Sequence, residues 1–148
     1  MTELRHYICV CDGATFLPIV KEQVLGVHEK YVQKFQQVSI NDTIWLYVKA
    51  GSPLSRKGAV CGFFKVKENL ILPKNGYFSD SNYPFILPLT IDDEIRWEYF
   101  ADLVDSLNCV TNKKHWGMLF MGRALVEIDD EDSIFLTKTL NSGKGVRI

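Results

Sequence analysis

Apolar positions gather in short blocks separated by turn residues, and the spacing inside each block predicts its element. Tyr7-Ile8-Cys9-Val10-Cys11 reads as the heart of a buried strand over residues 5–11, ended by Asp12-Gly13. Phe16, Ile19, Val20 and Val24 recur at helical spacing. Asp12 or Thr15 can cap that helix, Pro18 suits its first turn, and Gly26 is expected to break it. Residues 28–37 read as a second helix, with Tyr31, Val32 and Phe35 on one face and Lys30 and Lys34 on the other. After the Asn41-Asp42 turn, residues 43–48 form a strong strand. A polar loop over residues 50–58 leads to a strand over 59–66, so the pair forms a hairpin with a long loop.

Leu70-Ile71-Leu72 is a short extended piece, and residues 75–83 form an aromatic-rich loop. Residues 85–91 are a strand whose Pro88 suits an edge or a bulge. Residues 97–107 show a helical period, with Tyr99-Phe100 and Leu103-Val104 on the apolar side. Residues 130–140 form the last helix, capped by Asp129 or Asp130, and its acidic first turn favours the helix dipole. The tail after Asn141 is expected to be loose. Strands and helices mix without a βαβ rhythm, which predicts an α+β domain: a curved or barrel-like mixed sheet flanked by helices.

Composition narrows the function classes. The chain has 148 residues, 47% hydrophobic and 24% charged, as expected of one compact domain with its core over about residues 5–140. A net charge of −1 and a pI near 6.3 argue against a strongly basic nucleic-acid binder of the histone type, though not against a local basic patch. No apolar run is long enough to cross a bilayer, and residues 1–6 lack the apolar core of a signal peptide, so a cytoplasmic location without a membrane partner is expected. Cys9 and Cys11 are expected on opposite faces of one strand, where they cannot share a metal. With Cys61 and Cys109 they read as reduced, buried thiols, since no Cys-x-x-Cys spacing is present.

No phosphate-loop pattern and no dinucleotide fingerprint occur. Ser52, Ser55 and Ser79 are ordinary loop serines, and the runs at 92–94 and 129–132 read as solvated turns or a helix start rather than metal sites. His115 is a candidate general base, but no nucleophile pairs with it, so binding or packing is the better reading. The segment from Asn112-Lys113-Lys114-His115-Trp116-Gly117 to Met121-Gly122-Arg123-Ala124 is more informative. Glycines argue against a helix and the Lys-Lys-His run against a buried strand, so it is expected to be a turn or short irregular element. It sets flat aromatic surface beside positive charge, which suits a nucleobase and its phosphate. Trp45, Tyr47, Tyr77, Tyr83, Trp97 and Trp116 are numerous for this length. Most must be core, with one or two lining a pocket for a flat ligand.

The order of these blocks resembles the EVE domain family in its small prokaryotic single-domain branch. The resemblance runs from the opening strand through Val24-Leu25-Gly26-Val27-His28, Trp45-Leu46-Tyr47-Val48 and Gly62-Phe63-Phe64-Lys65-Val66. It continues through Tyr83-Pro84-Phe85, Lys114-His115-Trp116-Gly117-Met118 and Phe120-Met121-Gly122-Arg123-Ala124 to the acidic-capped final helix. It covers residues 5–140. It implies a PUA-like fold, a curved mixed β-barrel flanked by helices, related to YTH, ASCH and PUA domains. It also implies a non-enzymatic module without cofactor or metal that reads a modified base, such as methylated or hydroxymethylated cytosine, in DNA.

Carried onto this chain, the resemblance implies a base pocket built from Cys11 and Asp12, from Leu25, Gly26, Val27 and His28, and from Tyr83 and Pro84, with Trp45, Trp116 and Met121 as further lining. Asp12 would contact the base edge. Leu25 stands where related sequences often carry tryptophan, which removes one wall. Arg56, Lys57, Lys113 and Lys114 are the phosphate candidates. An RNA-binding module of PUA or YTH type, an interaction domain with a vestigial pocket, and a nucleotide-directed enzyme using His115 are the alternatives. Oligomeric state is left open.

Overall fold

The computed structural model describes residues 3–11, 13–50, 57–69, 85–91 and 94–145, with backbone alone at 13–15 and 17. Asp12, Arg56, Tyr83 and Pro84, and the expected elements between residues 70 and 84, lie outside the described residues.

Among the described residues eight strands make one mixed, curled sheet: β1 (His6–Cys11), β2 (Val24–Val27), β3 (Thr43–Val48), β4 (Ala59–Val66), β5 (Phe85–Thr90), β6 (Arg96–Tyr99), β7 (Leu125–Ile128) and β8 (Lys144–Gly145). The path runs β2-β5-β4-β3-β1-β7, with β6 pairing β4 and β8. β1 and β3 are parallel and in register from His6↔Thr43 to Cys11↔Val48. The expected β3–β4 hairpin is antiparallel, with a register shift between Ile44 and Leu46. β4 pairs β6 through residues 59–62 and β5 through residues 65–66, so one strand serves two neighbours in turn and the sheet curls around it. The architecture is the α+β arrangement expected.

Both faces of the sheet are covered. Side chains at successive positions point to opposite faces. On one face Tyr7, Cys9, Ile44, Leu46 and Cys61 pack under Phe16 and Ile19 of α1 (Gly13–Glu22) and Phe35 of α2 (Val32–Phe35). On the other, Ile8, Trp45, Tyr47 and Val60 pack under Phe100, Leu107, Phe120 and Leu136. β3 is the middle layer, and all six of its residues are buried.

Several expectations change. Cys9 and Cys11 are two residues apart on a strand, so they share a face, and with Cys61 they join one core cluster. Among the described residues no group of metal-ligating side chains forms. Val24 does not continue α1. Gln23 takes a left-handed φ of 55° that stops the helix, and Val24–Val27 becomes β2, with Gly26 inside it. The helix expected over residues 28–37 is a 3-10 turn, Glu29–Tyr31, running into the one-turn α2. Pro88 is not on an edge strand: β5 lies between β2 and β4, but its β4 ladder covers only Leu89 and Thr90, so the missing donor costs no rung there.

Residues 97–107 are not a helix either. They are the end of β6 followed by 3-10 turns at Phe100–Asp102 and Val104–Ser106, whose three-residue period imitates helical spacing in a short window. The tail is not loose as far as Gly145. β8 pairs with β6, and Arg96 Nη1 donates to the Gly143 carbonyl at 2.9 Å. The last helix, α3 (Asp130–Asn141), forms as expected, with the Asp129 carboxylate accepting from Asp132 N at 2.8 Å.

Candidate functional site

Parallel pairing brings the carboxyl ends of β1 and β3 side by side, and a cleft of about 220 Å³ opens there. Its floor is Cys9 and Val10 of β1, one wall is Leu25 and Gly26 of β2, and the facing wall is Arg123 and Ala124 at the start of β7. His28, Tyr31 and Phe35 close it from the turn after β2, and Lys49 enters from the end of β3. The backbone ties these pieces together: Val10 N donates to Ala124 O at 2.9 Å and Lys49 N to Cys11 O at 3.1 Å.

The cleft combines apolar side chains, Val10, Leu25 and Phe35, with a polar and cationic lining, His28, Tyr31, Lys49 and Arg123. Tyr31 is half-buried, and its ring meets His28 edge-on at 6.0 Å. Lys30 Nζ lies 5.5 Å from the Tyr31 ring centroid. His28 Nδ1 accepts from Lys30 N at 3.0 Å, so the neutral ring carries its proton on Nε2. The Lys49 and Arg123 side chains are exposed, and neither is held by a carboxylate among the described residues. Burial, with a smaller push from Cys11, holds the Cys9 thiol well above its ordinary value, so the floor is neutral and poorly nucleophilic. The arrangement can hold a flat, partly polar ligand with an anionic attachment. It offers no activated nucleophile among the described residues.

Of the residues picked out by sequence, Leu25, Gly26 and His28 line this cleft. Cys11 is buried beside it, and Val27, 1% exposed, points into the core. Trp45 is fully buried on the opposite face of the sheet, near Phe63 and His6. Trp116 belongs to a separate groove, with Met121 exposed on the turn just beyond it. Lys113 Nζ is spent on the carbonyls of Val104 and Leu107, where it caps the 3-10 turns. Lys57 lies over the Tyr99 ring at 5.6 Å, and Lys114 is exposed. The segment over residues 112–124 is the irregular element expected, a 3-10 turn at Trp116–Phe120 between ordinary turns.

Sequence reasoning missed Tyr31, Lys49 and Arg123. Tyr31 had the spacing of a core-facing helical residue. Lys49 directly follows an apolar run, and Arg123 lies in the segment already singled out, but neither differs locally from the other cations.

No family model matches the chain. It is similar to a UPF0310 protein of Pyrococcus horikoshii, 27% identical over 150 residues that cover 93% of this chain and 99% of that one. Among solved structures it resembles the YTH domain of Zygosaccharomyces rouxii MRB1 protein in complex with N6-methyladenosine RNA. The TM-score is 0.61 at 13% identity, covering 98% of this chain and 94% of that one. It also resembles human THYN1 in complex with 5-methylcytosine-containing DNA, with a TM-score of 0.58 at 11% identity, covering 93% and 98%. The chain thus has UPF0310 relatives and the PUA-like α+β fold of the YTH and THYN1 domains.

Proposed function

We propose that this protein is a non-enzymatic nucleic-acid-binding module that reads a modified or flipped base, such as modified cytosine in DNA, in the cleft at the ends of β1 and β3. The observation that carries the reading is the cleft itself: Leu25, Gly26 and Ala124, a half-buried tyrosine and two rim cations that no carboxylate among the described residues holds converge on one space. At about 220 Å³ it falls below the roughly 300–1,000 Å³ of drug-sized sites and suits a single planar ring system. The solved neighbours that hold N6-methyladenosine RNA and 5-methylcytosine DNA support the reading at the level of fold.

In this reading Tyr31 supplies the stacking surface that Leu25 cannot. Leu25 and Cys9 enclose the base, and Asp12, next in the chain after Cys11, contacts its edge. Lys49 and Arg123 hold the flanking phosphates. A flipped base needs such a pocket more than a broad basic face, so a net charge of −1 is compatible with the role.

Titration of short labelled DNA strands, each with and without methylated or hydroxymethylated cytosine or methyladenine, tests it, with matched RNA strands to reveal any use of the 2′-hydroxyl. The expected result is a preference for one modified strand that survives added salt. Equal, weak binding of all strands that vanishes with salt would mean phosphate contact alone and would end this reading.

A further inference from the structure

Arg123 lines two spaces. On one side is the base cleft, and on the other is a groove of about 350 Å³ walled by Val110, Asn112, His115, Trp116, Met118 and Leu119. The groove is built on a rigid aromatic base. Tyr47 stacks on Phe120 at 4.0 Å, and Trp116 is wedged edge-on to Tyr47 at 6.2 Å and tilted against Phe100 at 5.3 Å. Those contacts fix the indole, yet Trp116 stays half-buried and lines the groove. Met118, 59% exposed, lies beside it. No carboxylate is among the described residues lining the groove. His115 and Arg123 line it, and exposed Lys114 precedes His115 in the chain.

We propose that this groove holds the nucleotides next to the base in the first cleft. A single-stranded segment would turn at Arg123, set its phosphate there, and stack one flanking base on the Trp116–Met118 surface. The inference rests on the reading of the first cleft as the base pocket. Two observations commit it to a nucleic-acid strand rather than a peptide or a second copy. Arg123 is the charged side chain among the described residues lining the groove and its sign suits a polyanion, and the same Arg123 also lines the base cleft. A fixed aromatic beside a cationic track is how single strands are held without sequence readout, with base stacking and phosphate contacts contributing together. The protein would then read a base in a strand, and its affinity would grow with strand length on one side of that base.

The test compares a labelled trinucleotide carrying the preferred modified base with strands extended by four nucleotides on the 5′ or the 3′ side. Trp116→Ala also removes packing from the core, so the main probe is Met118→Glu at an exposed position, with Asn112→Asp as a second probe. Extension on one side is expected to tighten wild-type binding by about tenfold, and Met118→Glu to abolish that gain while keeping the preference for the modified base. Extension without any gain, or a gain untouched by both substitutions, overturns the inference and leaves the base reading standing. Wild-type indifference to modification, with Met118→Glu still weakening long strands, ends the base reading and keeps the groove as the strand site. A concentration-dependent dimer that Met118→Glu breaks would assign the groove to a second copy and overturn the proposal.

Discussion

Single residues set the tightest limits on this molecule. At Gly62 an added Cβ would lie 2.6 Å from Trp45 Cδ1, and that ring is fully buried and cannot retreat. Gly62→Ala should therefore destabilise the fold by about 1–3 kcal/mol, seen as a lower urea midpoint with an unchanged slope. At the cleft, Arg123→Ala should weaken oligonucleotide binding and reduce the salt slope by about one, because one phosphate contact is lost. An unchanged slope would remove Arg123 from the phosphate path. Tyr31→Ala should cost about 1–3 kcal/mol of affinity for the modified strand with little loss of stability, because the ring is only half-buried. Local sequence could not rank these cations. Lys113 and Arg123 sit in the same segment, and only the fold turns Lys113 inward onto two carbonyls while Arg123 is left on the cleft rim.

Among the elements, the start of α3 does more than begin a helix. Asp132 is 1% exposed and accepts from the backbone of Asn108 at 2.7 Å and of Cys109 at 2.8 Å. It thereby pins the loop that leads into Val110 and the second groove. Asp132→Ala removes the acceptor of both part-buried N–H groups and should cost about 1–3 kcal/mol, read by thermal or urea unfolding. Equal stability would show that the loop finds other partners. The cap at Asp129 and the acidic first turn were legible in the sequence, because capping is a local, short-range preference. Residues 97–107 were not. Their apolar spacing is shared by a helix and by a strand followed by 3-10 turns, and the pairing of Trp97 with Cys61 decides between them. β8 was equally hidden: Lys144–Gly145 carries no strand signal of its own and exists because β6 offers an edge.

For the whole molecule, burial of thiols gives stability a dependence on pH. Cys9 and Cys61 are almost fully buried, and desolvation holds both well above their ordinary values, with Cys11 adding repulsion. In the unfolded chain they ionise near about pH 8.5. Above that pH the folded state binds more protons than the unfolded state. This part of the stability is therefore fully present below the unfolded value and is lost as pH rises towards the folded one. The slope is up to about 1.4 kcal/mol per pH unit for each thiol. Urea unfolding at about pH 8 and at about pH 10 should show that fall, and replacing Cys61 with Ala should flatten it. A flat profile in the parent protein would contradict it.

Sequence alone determined the strands β1, β3, β4 and β5, the final helix with its cap, and the α+β class. Each follows from local spacing of apolar residues or from short-range hydrogen bonding, which a chain carries wherever it is placed. It also singled out the segment that provides Arg123 and Trp116. Only the tertiary structure decided which side chains meet. Trp45 and Tyr31 are both aromatic residues in apolar patterns, yet the two-faced sheet buries the first completely and leaves the second at a cleft. The cleft itself comes from the parallel register of β1 with β3, a contact between segments more than 30 residues apart. Long-range pairing chooses among locally equivalent patterns because its energy comes from surfaces that do not adjoin in sequence, so no window along the chain contains it.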